Sequence, residues 1–200
     1  MKLFKVMGAL IVLFFQLSAV GQQDNLRLVS QELQRTSPEL KSEDVQNLHI
    51  DAEHTSSLSG VHHMYLNLTF NGIRIKNSTI NASMNSVNLV DNLVGKPIKD
   101  LSRKVKTTAP SIGLLESIQS ISTRLGIQGV ISITALGENL YDFEIEGGNY
   151  RHESKAELVY WENEEGEIRL AWNFNIDLPN QSHWYDFIIS AEDGSEIKRM

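Results

Sequence analysis

The sequence predicts an α+β protein with two small antiparallel sheets, each with a packed helix, joined by a basic connector. Three observations predict this class. Runs of alternating apolar and polar residues, typical of half-buried strands, occur both before residue 95 and after residue 130. A helical pattern precedes each strand-rich region, and a basic segment with two prolines separates them. Two small units fit this pattern better than one large sheet.

The first predicted domain covers residues 22–94. Leu26, Val29 and Leu33 have helical spacing, and residues 49–53 (HIDAE) read as a short strand. Asn71-Gly72 predicts a tight hairpin, because both turn positions require a positive φ. The strands predicted around this turn and after it are Val61–Phe70, Ile73–Ile80 and Met84–Val90.

Residues 95–110 (GKPIKDLSRKVKTTAP) form the predicted connector. The segment has little apolar periodicity, so we expect it to be exposed. We also expect its part from Lys96 to Lys106, which is basic and poor in core residues, to be the first proteolytic cut site. Its basic residues are Lys96, Lys99, Arg103, Lys104 and Lys106.

The second predicted domain covers residues 111–200. A helix is predicted over Ser111–Leu125, with Gly126 suited to the position after its end. Its expected apolar face contains Leu114, Leu115, Ile118, Ile121 and Leu125. The strands predicted after it are Ile131–Thr134, Tyr141–Ile145, Ala156–Trp161, Ile168–Ile176 and His183–Ser190.

Residues 1–21 have the pattern of a secretory signal peptide. Lys2 and Lys5 precede the short apolar run Met7–Phe15, and small residues at Ala19 and Gly21 suit a cleavage site. We therefore expect a secreted, periplasmic or extracellular protein that is not held in a membrane after cleavage. The chain contains no cysteine, so its fold must depend on its apolar core rather than on disulfides.

Charge and motifs argue against several functional classes. The net charge of −7 disfavours nucleic-acid partners, which require a basic surface. His152-Glu153 begins like the zinc motif H-E-x-x-H, but Ala156 stands where the second histidine is required. We accordingly predict no catalytic, cofactor-binding or metal-binding residue in this chain.

Three weaker patterns leave alternatives open. His62 and His63 are adjacent, so on a strand they point to opposite faces and cannot jointly bind one ion without a bulge. A partner such as His49 or His54 could complete a site with one of them, although nothing in the spacing requires it. Glu144 and Glu146 could form a catalytic pair of a small hydrolase. Aromatic residues could instead stack on sugar in a secreted binding module for sugar or a surface protein; these residues are Trp161, Trp172, Trp184 and Tyr185.

Several motifs, in order, resemble the pro-region of secreted fungalysin-type zinc metallopeptidases, with its FTP domain followed by a PepSY-like domain. "SGVHHMYLNLTFNGIRIKN" carries most of the resemblance, and "AELVYWENEEGEIRLAWNFNID" and "HWYDFIISAEDGSEI" are similar to the last two hairpins. The matching positions are Gly60, Val61, His63, Tyr65, Asn71, Gly72, Ile73, Asn77, Trp172 and Trp184.

The resemblance implies a function based on shape. Such pro-regions inhibit the peptidase domain and assist its folding, so the implied partner is a fungalysin-type metallopeptidase domain, in cis or in trans. Zinc would belong to that domain, which we expect to be absent from this chain. The matched positions are expected to be structural, with His62 facing outward beside His63. The candidate cleavage residues are Lys104, Lys106, Lys198 and Arg199.

Overall fold

The computed structural model describes residues 22–95, 97–146, 154–177 and 184–200, and it confirms the predicted α+β class. The predicted signal peptide, Lys96, His152 and Glu153 lie outside the described residues. The helices are α1 (residues 22–36), α2 (Ser42–Val45), α3 (Leu101–Lys104) and α4 (Leu114–Leu125). The strands are β1 (Leu48–Thr55), β2 (His62–Phe70), β3 (Ile73–Lys76), β4 (Ile80–Met84), β5 (Val90–Gly95), β6 (Val130–Ala135), β7 (Leu140–Glu146), β8 (Ser154–Glu162), β9 (Ile168–Asp177), β10 (Trp184–Ser190) and β11 (Glu196–Arg199).

The chain forms two compact units that interleave in sequence. The first unit contains residues 22–68 and Ser78–Asp100, and the second contains Thr69–Asn77 and Leu101–Met200. Strand β2 therefore contributes residues to both units, and β3 belongs wholly to the second. Each unit consists of two separate segments of the sequence, so one domain boundary along the chain cannot separate the two units.

The first unit contains an antiparallel sheet in the order β1–β2–β4–β5. Alternate residues of β2 face its interior, where Met64, Leu66 and Leu68 are buried. Helix α1 contributes the buried Val29 and Leu33, whose spacing the sequence predicts. The core of this unit thus combines one face of the sheet with the apolar stripe of the helix.

Two strand predictions in this unit are wrong because asparagines interrupt the extended chain. The predicted strand over residues 73–80 breaks at Asn77, which has a φ of 70°. The predicted strand over residues 84–90 is instead a turn between β4 and β5. In that turn the Asn85 side-chain oxygen accepts hydrogen bonds from the backbone N–H groups of Val87 and Leu89, at 3.1 and 3.0 Å. Asn side chains favour turns through such local bonds.

The second unit contains strands β6 to β11 in sequential antiparallel order. Strand β3 joins this sheet by parallel pairing with the second half of β8, where Ile75 lies opposite Tyr160. Helix α4 buries Ile118 and Ile121. The largest fully buried side chains of the sheet include Tyr160, Phe174, Phe187, Ile75 and Leu170.

Helix α4 is shorter than the sequence predicts. The backbone N–H groups of Ser111 and Ile112 donate to the carbonyl oxygen of Ala191, at 2.8 and 2.9 Å, so the helix begins only at Leu114. Leu115 is exposed and not part of the apolar face, because it lies beside rather than within the i, i+4 stripe. Gly126 ends the helix in the left-handed conformation, as predicted.

The basic segment is less exposed than predicted. Ile98 and Leu101 are both buried, and the backbone of Val105 forms a parallel bridge to Ile168 in β9. The Tyr160 hydroxyl donates a hydrogen bond to the Thr107 carbonyl oxygen at 3.2 Å. Residues 101–107 are therefore held in place within the second unit, which the spacing of basic residues did not reveal.

Candidate functional site

The motif around Gly60 forms the turn between β1 and β2. Gly60 has a φ of 69°, and its N–H donates to the Ser56 carbonyl oxygen at 2.9 Å. Ser56 N–H in turn donates to the Val61 carbonyl oxygen at 2.9 Å, which closes the turn. Gly60 and Val61 therefore contribute to the turn through their backbone groups. The left-handed φ at Gly60 favours a residue without a Cβ.

His63 and Tyr65 belong to a ladder of aromatic rings on the face of this sheet opposite Met64. The His54 ring stacks on the His63 ring at a centroid distance of 4.9 Å and lies 6.2 Å from the Tyr65 ring. The Nδ1 atom of His63 is 2.9 Å from the Ser83 hydroxyl. These contacts link three neighbouring strands, β1, β2 and β4, and leave Tyr65 43% exposed.

The expectation that His62 faces outward is wrong. His62 shares its face of β2 with Met64 and is only partly exposed, because the alternation of the strand turns its even-numbered residues inward. Its Nε2 lies 3.1 Å from the Glu53 carboxylate and its Nδ1 lies 3.0 Å from the Thr55 hydroxyl. His62 and His63 do lie on opposite faces, as their spacing predicts.

The Asn71-Gly72 hairpin is confirmed. Asn71 and Gly72 have φ values of 50° and 75°, and they connect Phe70 to the buried Ile73. Asn77, directly after β3, also has a positive φ and ends the extended segment. The turns at these motif residues place β3 where it can pair with β8.

Burial weakens the sugar-binding alternative. Trp172 and Trp161 are 4% and 5% exposed, so neither ring offers a stacking face to a ligand. The Trp172 indole N–H donates to the Ile112 carbonyl oxygen at 2.8 Å, which assigns it a structural role. Tyr185 is half-buried beside Arg199, and the side chain of Trp184 lies outside the described structure.

A cavity lined by cations is the feature that sequence reasoning missed. It has a volume of about 380 Å³ and lies in the second unit, between the start of β9 and the wall formed by the end of α3 and the residues that follow it. The density of basic residues in the predicted connector was the available signal, but the folding of that segment onto β9 was not predictable. The cavity is lined by Arg103, Lys104, Lys106, Thr107, Gly166, Glu167, Ile168, Arg169 and Glu192.

Carboxylates hold two of the four cations in place. The Arg169 guanidinium contacts Asp193 at 3.1 Å and Glu192 at 3.5 Å. The Lys104 ammonium lies 3.7 Å from the Glu162 carboxylate. These pairs position one side of the cavity at modest energetic gain, because partly exposed ion pairs contribute little.

Asp193 makes the stability of this region sensitive to acid. Hydrogen bonds from the Ser195 hydroxyl at 2.6 Å and the Ser195 backbone N–H at 3.0 Å hold the pKa of Asp193 well below its ordinary value, with smaller help from Ser190 and Arg169. A lowered folded-state pKa contributes stability above the unfolded value of about 4, and this contribution is lost as pH falls below it.

We therefore expect Asp193→Asn to lower the free energy of unfolding at pH 7 by at most about 1 kcal/mol, since the side chain is half exposed and screened. The deficit should shrink as pH falls from about 4. Urea denaturation at pH 7 and pH 3 measures both values. Glu164→Gln, in an exposed turn, provides the matched control. An equal deficit at both pH values would contradict the assignment.

The four candidate cleavage residues lie in ordered backbone. Lys104 ends α3, and Lys106 follows the bridge between Val105 and Ile168. Lys198 and Arg199 belong to β11, with the Lys198 ammonium 5.3 Å from the centre of the Trp161 ring. Cleavage at any of them requires local opening, because proteases act on extended, unpaired chain. Their cleavage stays a prediction.

The carboxylates proposed for catalysis are solvated strand residues. Glu144 and Glu146 are both exposed on the same face of β7. Across the described residues, no group of three or more histidine or acidic side chains is placed to hold a metal ion. In the same part of the chain, no helix has the length and apolar character required to cross a bilayer.

The chain has distant similarity to a known protein. No protein-family model matches the chain. It is 25% identical over 151 residues to the extracellular metalloproteinase MEP of Leptosphaeria maculans, a match that covers 73% of this chain but only 23% of that protein. Among solved structures, the Bacillus megaterium YpeB C-terminal domain is similar, with a TM-score of 0.36 and 14% identity over 88% of this chain and 63% of that one.

Proposed function

We propose that this chain is a secreted pro-region-like module of an extracellular metalloproteinase precursor. The observation that carries the proposal is the asymmetric match, in which most of this chain resembles less than a quarter of a metalloproteinase. A match of that extent suits an accessory segment of a protease precursor. The order of the pro-region motifs from Gly60 to Trp184 supports the same assignment.

In this proposal the module has no catalytic role of its own. It lays folded surface on a zinc peptidase domain, blocks its cleft and assists its folding, while the zinc and the catalytic groups belong to that domain. The positions of the motif residues support a role through shape. Gly60, Asn71 and Gly72 direct the backbone, while His63 and Tyr65 stack across neighbouring strands.

Inhibition of a matching peptidase tests the proposal. We expect the purified module to slow peptide hydrolysis by the mature peptidase domain of the metalloproteinase MEP when present at micromolar concentration. The Gly129→Ala variant, which we expect to be less stable because a Cβ would overlap the Glu146 carbonyl oxygen, serves as the control and should inhibit less. Unchanged hydrolysis at micromolar module would overturn the inhibitory role.

The folding role is measured separately. The peptidase domain is denatured and diluted into buffer with or without the module, and the recovered activity is assayed after the module has been removed. We expect a higher yield with the module present. Equal yields would contradict the folding role. Separately, the DNA that follows the coding sequence would show whether a peptidase domain continues in the same reading frame, in cis, or must be supplied in trans.

A further inference from the structure

The cation-lined cavity is a built feature of the second unit. Its basic wall, Arg103 to Lys106, is anchored by the buried Leu101 side chain and by the bridge from Val105 to Ile168. The hydrogen bond from the Tyr160 hydroxyl to Thr107 fixes the end of this wall. The basic side chains therefore extend from a backbone held in one position.

The charges of the cavity are unevenly compensated. Carboxylates contact Arg169 and Lys104, as described above. Arg103 and Lys106 are exposed, and within the described ranges neither lies within ion-pair distance of a carboxylate. When Glu162 and Asp193, which contact Lys104 and Arg169 from beside the lining, are included, the cavity has as many carboxylates as cations. Its attraction for an anion therefore rests on the two cations that have no carboxylate partner among the described residues, Arg103 and Lys106.

We propose that this cavity binds an acidic polypeptide segment through two carboxylates. The Arg103 guanidinium can bind one carboxylate with two parallel hydrogen bonds, and the Lys106 ammonium can bind the next. Glu192 is paired with Arg169, whereas Glu167 repels acidic groups from its part of the lining, so a carboxylate ligand is directed toward Arg103 and Lys106. The volume of about 380 Å³ lies within the range of small-ligand sites, so it suits a few residues of an extended chain.

This inference goes beyond the proposed function and does not depend on it. The probe is a short fluorescein-labelled peptide rich in glutamate, and the comparison probe has glutamine at each of those positions. Fluorescence anisotropy with the purified protein at low salt should show binding of the glutamate peptide only. Affinity should fall as ionic strength rises, because part of the attraction is screened.

A pair of double variants identifies the site. We expect Arg103→Gln with Lys106→Gln to weaken binding by about tenfold or more, since both lost contacts are charge-assisted. Arg27→Gln with Lys155→Gln removes the same charge from exposed residues outside the cavity and should leave the affinity within about twofold of the original protein. All four residues are exposed, and circular dichroism checks that both variants fold.

Three outcomes would overturn the proposal. The first is that the glutamate peptide does not bind. The second is an equal loss of affinity in both double variants, which would indicate attraction to net charge alone. The third is displacement of the peptide by millimolar inorganic phosphate or sulfate but not by an unlabelled glutamate peptide, which would assign the cavity to small oxyanions.

Discussion

Replacing Gly129 by alanine is expected to lower the free energy of unfolding by about 2–4 kcal/mol, through steric overlap and backbone strain. Gly129 precedes β6 and has a φ of 156°, which side-chain-bearing residues rarely adopt. A Cβ at this position would lie 2.1 Å from the Glu146 carbonyl oxygen and 2.9 Å from the Ile145 Cγ2 atom. The first contact is with backbone, so it cannot be relieved by a side-chain rotation.

The same hairpin provides the control. Gly137 lies in the turn at the other end of β6, and a Cβ there would meet no atom within 4 Å. Gly137→Ala should change the free energy of unfolding by no more than about 0.5 kcal/mol. Urea denaturation followed by circular dichroism measures both variants. Equal stability of the two would refute the close approach of Gly129 to the end of β7.

Replacing Trp172 by alanine is expected to lower the free energy of unfolding by about 3–5 kcal/mol, the usual loss for a buried aromatic side chain. Trp172 is 4% exposed at the centre of β9, and the Tyr141 ring packs edge-on against it at 5.8 Å. Its indole N–H also donates to the Ile112 carbonyl oxygen, which holds the residues before α4. The substitution therefore creates a cavity and removes a hydrogen bond.

Two further variants separate these contributions. Trp172→Phe retains much of the apolar volume but leaves the Ile112 carbonyl oxygen without its indole donor, at an expected loss of about 1–3 kcal/mol. Leu115→Ala, at the exposed position of α4, should have little effect. Thermal and urea unfolding give the order of stability. A Trp172→Ala variant as stable as Leu115→Ala would contradict the burial of this ring.

Local chemistry explains which parts of the fold were predictable. Asn71-Gly72 and Gly126 act within a few residues, so their turn and helix end follow from sequence. The break at Asn77 could not be predicted, because asparagine tolerates both extended and left-handed backbone. The late start of α4 depends on Ala191, some eighty residues away in sequence, which no local pattern encodes.

The candidate site shows the same limit. The basic residues from Arg103 to Lys106 were visible in the sequence, but their meaning depends on the bridge between Val105 and Ile168. From the sequence alone, where that long-range contact is not visible, a run of cations with two prolines predicts an exposed connector. The inward position of His62, by contrast, was available from the alternation with Met64 and Leu66.

Because β3 precedes the rest of the second unit in sequence but belongs to its sheet, the places at which this protein can be divided or recombined are restricted. A gene fragment beginning at Leu101 would lack Ile75 and Lys76, so the second half of β8 would lose its parallel neighbour. The exposed hydrogen-bonding groups beside Tyr160 would then form an unpaired sheet edge, which promotes aggregation by pairing with a strand of another molecule. Fusions and chimaeras should therefore retain residues 69–200 as one uninterrupted segment.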